Sequence, residues 1–196
     1  MLIPGFTLTC TIVALAATVA VAGSTPSRPT VTRETPMTDT YTLVQVGIPS
    51  SMQAEHHEIH AALERATQEP GRVGEAARAL AKVLHPHFVR EEQIALPPLG
   101  LLAPLARGEF TPGMLDVLPM TDSLRAELPS MLEEHVTIRA ATIKLGDVAR
   151  AAGNASVARL AETLALHALS EEEMFYPAAV LVGDLVRARA AKSGKR

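Results

Sequence analysis

The chain contains no tryptophan and a single cysteine, Cys10. One thiol cannot form an intrachain disulfide, a thiolate zinc site or a cysteine-ligated iron–sulfur cluster. Aromatic residues make up only 3% of the sequence, four Phe and two Tyr, too few for a platform on which bases stack. Positive charge is not in excess either. The 18 Lys and Arg face 21 Asp and Glu, a formal net charge of −3, which argues against nucleic-acid binding. Strand signals are missing too, since β-branched residues are scattered and no stretch alternates apolar and polar for long. What is present is a large apolar fraction, 47% of 196 residues, enough to bury one core of ordinary size. Seven histidines accompany it. Any metal held here must be held by nitrogen and oxygen.

The first charged side chain is Arg28. Residues 2–22 form an apolar run broken only by Pro4, Gly5 and four threonines, long enough to span a bilayer. Ala20-Val21-Ala22 before Gly23 also suits a secretory cleavage site, although no Lys or Arg precedes the run. Residues 24–36 are rich in Ser, Thr and Pro and read as a linker. Met37 offers an alternative start without a leader. The readings left open are an exported or membrane-anchored protein, with membrane contact confined to residues 2–22, and a cytoplasmic one beginning at Met37. The chain accordingly divides into an apolar segment (1–23), a flexible linker (24–48), a helical domain (49–190) and a basic tail (191–196).

Four helical blocks are expected in that domain, at about 51–68, 73–96, 121–152 and 154–176, with a shorter helical tail to about 190. Ser50 or Ser51 is the expected N-cap of the first block and Asn154 starts the fourth. Pro70-Gly71, Pro97-Pro98 and Gly153 are stops, and Pro86 and Pro129 are expected to bend the second and third blocks. Residues 100–119, with three Gly and three Pro, read as a long connection. Each block carries one apolar seam at 3-4 spacing: Met52, His56, Ile59, Leu63, Ala66; Val73, Ala77, Leu80, Leu84, His87, Glu91, Ile94; Leu124, Leu128, Met131, His135, Ile138, Ala141, Leu145; and Val157, Leu160, Leu164, His167, Glu171, Met174. Four such amphipathic helices predict an all-α, up-down four-helix bundle.

Every seam contains a histidine, and two contain a glutamate four residues after it. Residues i and i+4 share a helix face. His87 with Glu91, and His167 with Glu171, therefore each present two ligands in one direction. A buried unpaired carboxylate is costly, so two of them on core seams call for a cation. His56 and His135 add one imidazole each, and two carboxylates can bridge a pair of ions. Imidazole and carboxylate without thiolate suit iron or manganese, and zinc also accepts them. The pattern is duplicated: Glu55-His56-x-x-Ile59 recurs as Glu134-His135-x-x-Ile138, and His87-x-x-x-Glu91-Glu92 with Pro97 recurs as His167-x-x-x-Glu171-Glu172 with Pro177, each about 80 residues on. Two helical hairpins each supply half of one central site.

This pattern resembles the hemerythrin-like family, the His-His-Glu cation-binding domains, over about residues 51–180. The most specific pieces are His87-Phe88-Val89-Arg90-Glu91-Glu92 with Pro97, and His167-Ala168-Leu169-Ser170-Glu171-Glu172-Glu173 with Tyr176-Pro177. The resemblance implies a non-heme di-iron centre of two iron ions, with oxygen or a related small ligand as partner, or a role in handling or sensing iron. Its ligands would be His56, His87, Glu91, His135, His167 and Glu171. Oxygen-carrying members place a second histidine four residues after the one on the third helix, where this chain has Arg139. His60, four after His56, is the candidate replacement; otherwise that position is open, which would favour turnover of peroxide or nitric oxide, or repair of iron centres. A structural or regulatory cation is the non-catalytic alternative. Of the remaining groups, His57 is expected to be exposed and His85 structural or near a ligand. Glu92, Glu172 and Glu173 are expected to be solvated or hydrogen-bonded to a ligand imidazole, Tyr176 an interfacial ring or else a hydrogen-bond donor to a ligand, and Arg187 and Arg189 part of a solvated end. A ferritin-like carboxylate site needs Glu-x-x-His, but Leu132 and Leu164 stand three before His135 and His167.

Overall fold

The computed structural model describes residues 46–193. The apolar run 2–22, the linker 24–36, the alternative start at Met37 and the last three residues of the tail lie outside them. The described residues form α1 (Ser50–Thr67), α2 (Gly71–Ile94), a short α3 (Leu102–Ala106), α4 (Leu118–Ala151), α5 (Ala155–Ser170) and α6 (Tyr176–Ser193), with no strand among them. No helix among them is long and apolar enough to cross a membrane. The helix α1 packs on α2 and α5, and α4 packs on the same two, which closes the ring of a four-helix bundle. Residues 68–70 and 152–154 join α1 to α2 and α4 to α5. Connections this short make each pair an antiparallel hairpin. At the second one Gly153 takes φ +69°, and Asn154 Oδ1 accepts from the Val157 N–H at 3.2 Å, capping α5.

Three expectations need correction. Neither Ser50 nor Ser51 caps α1: the N-cap position is Pro49, whose carbonyl accepts from the Gln53 N–H at 3.0 Å with no side-chain cap. Proline there supplies an extended ψ of 134° and leaves Ser50 as the first helical residue. Residues 100–119 are not a bare connection. Together with Pro97–Leu101 they form α3 and two 3-10 turns, Pro97–Leu101 and Pro112–Val117. The prolines and glycines cut the helical period short, yet Leu101, Leu105, Met114 and Val117 still pack on Val182 and Val186 of α6. The arginines near the chain end are also engaged. Arg189 donates to the carbonyls of Leu105, Gly108 and Glu109, and Arg187 pairs with Asp122.

The helix α6 lies against α4 because Gly183 has no side chain. A Cβ there would meet Thr121 Oγ1 at 2.2 Å and Thr121 Cβ at 2.7 Å. Gly183→Ala is expected to destabilise the protein by about 1–3 kcal/mol, read as a lowered midpoint in urea with an unchanged slope.

Candidate metal centre

The seams deliver their polar residues to one level of the bundle. The order is Met52, His56, Ile59 on α1; His87, Phe88, Glu91, Ile94 on α2; Met131, His135, Ile138 on α4; and Leu164, His167, Glu171 along α5 and just beyond it. Ile59, Phe88, Ile138 and Leu164 belong to one apolar cluster, and Met52, Ile94 and Met131 to another. The polar side chains form a belt between these two plugs. All six are at most 3% exposed.

Within the belt the residues fall into two groups, each able to hold a cation. One is His56, His167, Glu91 and Glu171; the other is His87, His135, Glu91 and Glu171, with all ligand atoms of a group within 4.8 Å of one another. Both glutamates belong to both groups, one oxygen to each. Glu171 Oε1 lies 2.7 Å from His167 Nε2 and 3.7 Å from His56 Nε2, while its Oε2 lies 3.5 Å from His135 Nε2. Glu91 Oε1 lies 3.3 Å from His87 Nε2, and its Oε2 lies 4.0 Å from His56 Nε2. The repeat exchanges the groups: His56 maps onto His135, His87 onto His167 and Glu91 onto Glu171.

A second ring of carboxylates orients the imidazoles. The Nδ1–H groups of His56, His87, His135 and His167 donate to Glu92, Glu134, Glu172 and Glu55 at 3.1, 2.8, 2.9 and 3.2 Å. A carboxylate acceptor fixes the proton on Nδ1, so each neutral ring turns a bare Nε2 to the centre, the form a metal requires. Glu92 and Glu172 thus take the ligand-orienting role rather than the solvated one. Glu55 and Glu134 were not singled out from sequence, although the twice-repeated Glu-His pair was the available signal. Surface grooves of about 550 and 310 Å³ reach Glu55 and Glu134 respectively. Replacing Glu134 by Ala is expected to weaken metal affinity roughly 10–100-fold, measured by competition with a chelator of known affinity.

Five buried side-chain atoms among the described residues lack a well-formed hydrogen bond: His56 Nε2, Glu91 Oε2, His167 Nε2 and Glu171 Oε1, the last two only 2.7 Å apart as an ion pair, and, elsewhere on α4, Thr142 Oγ1. The first four are the four ligand atoms of one group. Buried polar atoms are rarely left without good hydrogen bonds, and four that converge form a place able to hold an ion. The donor types fit one as well.

The other group shows the same demand through protons. His87 Nε2 and His135 Nε2 approach to 2.7 Å, which needs a single proton between them. Burial lowers the pKa of His87, but Glu91 and Glu134 outweigh it and hold the ring at about 9. Burial and the neighbouring His87 push His135 down. Burial and the adjacent Glu171 raise Glu91. Burial opposes the ionised form of Glu171 as well, yet His167 and His56 pull it down to about 2.

Beyond Glu171 the helix changes. Residues Glu171–Phe175 form a π-turn, and the Tyr176 N–H donates to the Glu171 carbonyl. The wider turn inserts one residue and shifts the buried face. Met174, expected on the seam, is 62% exposed, and Tyr176 is fully buried, in the donor role beside a ligand rather than as an interfacial ring. The phenol donates to Glu91 Oε1 and lies 3.4 Å from His87 Nε2 and 3.2 Å from His135 Nε2. Burial and the charges of Glu91 and Glu171 raise its pKa.

The remaining candidates lie outside both groups. Phe88 stacks on His56 with centroids 4.2 Å apart, and His60 meets the edge of that same Phe88 and of His85. Burial and His85 lower the pKa of His60. His57 and His85 are exposed. Arg139, which stands where a second histidine was sought, pairs with Glu172, the carboxylate that holds His135.

No curated protein and no solved structure matches this chain. A family model, the hemerythrin HHE cation binding domain, matches residues 47–179, a span that contains both groups and all four orienting carboxylates. By this match over more than half of its length, the chain belongs to the hemerythrin HHE cation-binding domain family.

Proposed function

We propose that this chain is a non-heme di-iron protein that binds dioxygen or a related small ligand. His56 and His167 would hold one ion, His87 and His135 the other, with Glu91 and Glu171 bridging the two. The observation that carries the reading is that each glutamate gives one oxygen to each group, while four ligand atoms of one group stand buried without a well-formed hydrogen bond. Two imidazoles with carboxylate oxygens at each ion, and no thiolate, suit ferrous iron. Iron held there would supply one-electron exchange and a Lewis-acidic position for a small ligand. The chain itself supports such a pair. Its outer carboxylates fix the tautomer of every ligand imidazole, and its apolar plugs keep water out. The position of His60 against Phe88 and outside both groups favours two ligand histidines at each ion over three at one.

The test is anaerobic loading with ferrous iron, followed by measured addition of dioxygen. The loaded parent is expected to bind two irons and to change its visible absorption as oxygen is consumed. His87→Ala and Glu91→Ala proteins are expected to lose both the second iron and the spectral change. If they load and respond as the parent does, the reading is wrong.

A further inference from the structure

The duplication is not complete, and one of its differences falls at the centre. The repeat that carries Glu91 onto Glu171 carries Leu96 onto Tyr176. Each glutamate carbonyl accepts from the residue five further on, with Leu96 N–H donating to Glu91 O at 3.0 Å and Tyr176 N–H to Glu171 O. Both side chains are fully buried. The five-residue bond recurs in both halves, although Glu91 O also accepts from Ala95 N–H at 2.8 Å as α2 ends, but one half presents methyl groups and the other a phenol. The two groups differ accordingly. None of the atoms lacking a well-formed hydrogen bond is unique to the His87–His135 group, beside which the phenol lies; all four central ones belong to the other group.

Donors bound about 2.1 Å from one ion stand about 3.0 Å apart at octahedral angles and about 3.4 Å apart at tetrahedral ones. The phenolic oxygen of Tyr176 is 3.4 Å from His87 Nε2 and 3.2 Å from His135 Nε2, and it touches Glu91 Oε1. It therefore stands at the spacing of a further ligand. We propose that Tyr176 is a fifth protein ligand, through its phenolic oxygen, to the ion of the His87–His135 group, which makes the two ions inequivalent and directs small ligands to the ion between His56 and His167. As the ion enters, the phenolic O–H bond breaks and its proton leaves to solvent, as protons generally do on metal binding. This inference rests on the paired-ion reading above.

The chain has only two tyrosines, Tyr41 and Tyr176, so a Tyr41→Phe protein carries Tyr176 alone. That protein is loaded anaerobically with ferrous iron and oxidised. Bound iron is then counted, and absorption and resonance Raman spectra are recorded. The expected result is two irons with a visible phenolate-to-ferric absorption and resonance-enhanced tyrosinate ring modes. In the otherwise native chain, Tyr176→Phe is expected to retain two irons and lose those modes. Two bound irons without tyrosinate modes in Tyr41→Phe would overturn the assignment alone, as would modes that persist in Tyr176→Phe. A chain that takes up no iron overturns the paired-ion reading, and this assignment with it. If Tyr176→Phe fails to fold, the Tyr41→Phe spectrum decides by itself.

Discussion

Loading the chelator-stripped protein with ferrous iron is expected to raise its melting temperature by roughly 10–20 °C. A ligand at a hundredfold excess over its Kd stabilises the native state by about 2.7 kcal/mol, so two sites contribute roughly 5 kcal/mol. A domain of about 150 residues gains about 2–4 °C per kcal/mol. The structural cause is the belt of imidazoles and carboxylates pressed between two apolar clusters. Without a cation, Glu91 and Glu171 oppose each other at zero and 1% exposure, and four ligand atoms lack a well-formed hydrogen bond. Differential scanning calorimetry with and without chelator measures the shift. A melting temperature that ignores bound iron would place the metal away from the bundle core.

The second large effect separates a bridging carboxylate from a terminal imidazole. Glu171 serves both groups, whereas His56 serves one. Glu171→Ala is expected to abolish tight binding of both ions. His56→Ala leaves all four groups around the His87–His135 position and is expected to retain one ion. Glu91→Gln keeps an acceptor for Tyr176 but removes a bridging oxygen anion, so with iron present this variant should melt well below the iron-loaded parent. Paired melting curves with and without iron check it.

Much of this centre was legible in the 3-4 spacing of the seams. That spacing brings His56, His87, Glu91, His135, His167 and Glu171 inward on four helices, and the duplication identifies which of seven histidines matter. The reading failed where the α-helical period itself fails. The π-turn after Glu171 adds a residue, so Met174 turns to solvent and Tyr176 enters the core. No periodicity rule anticipates such a turn, although the match of Tyr176 to the residue before Pro97 held a trace of it. Contacts between helices were also hidden. His60 packs against Phe88 and stays outside both groups, and Arg139 shares Glu172 Oε1 with His135 Nδ1; both depend on how the helices pack rather than on spacing within any one of them. The segment 100–119 looked featureless because its glycines and prolines mask short turns whose apolar side chains reach α6.

The most direct measurement is an anaerobic titration of the stripped full-length chain with ferrous iron, read as iron bound per chain. Two irons in the parent, and no tight binding in Glu171→Ala, is the predicted result. Saturation below one iron per chain, or equal uptake by the parent and Glu171→Ala, would contradict a carboxylate-bridged pair at the bundle centre.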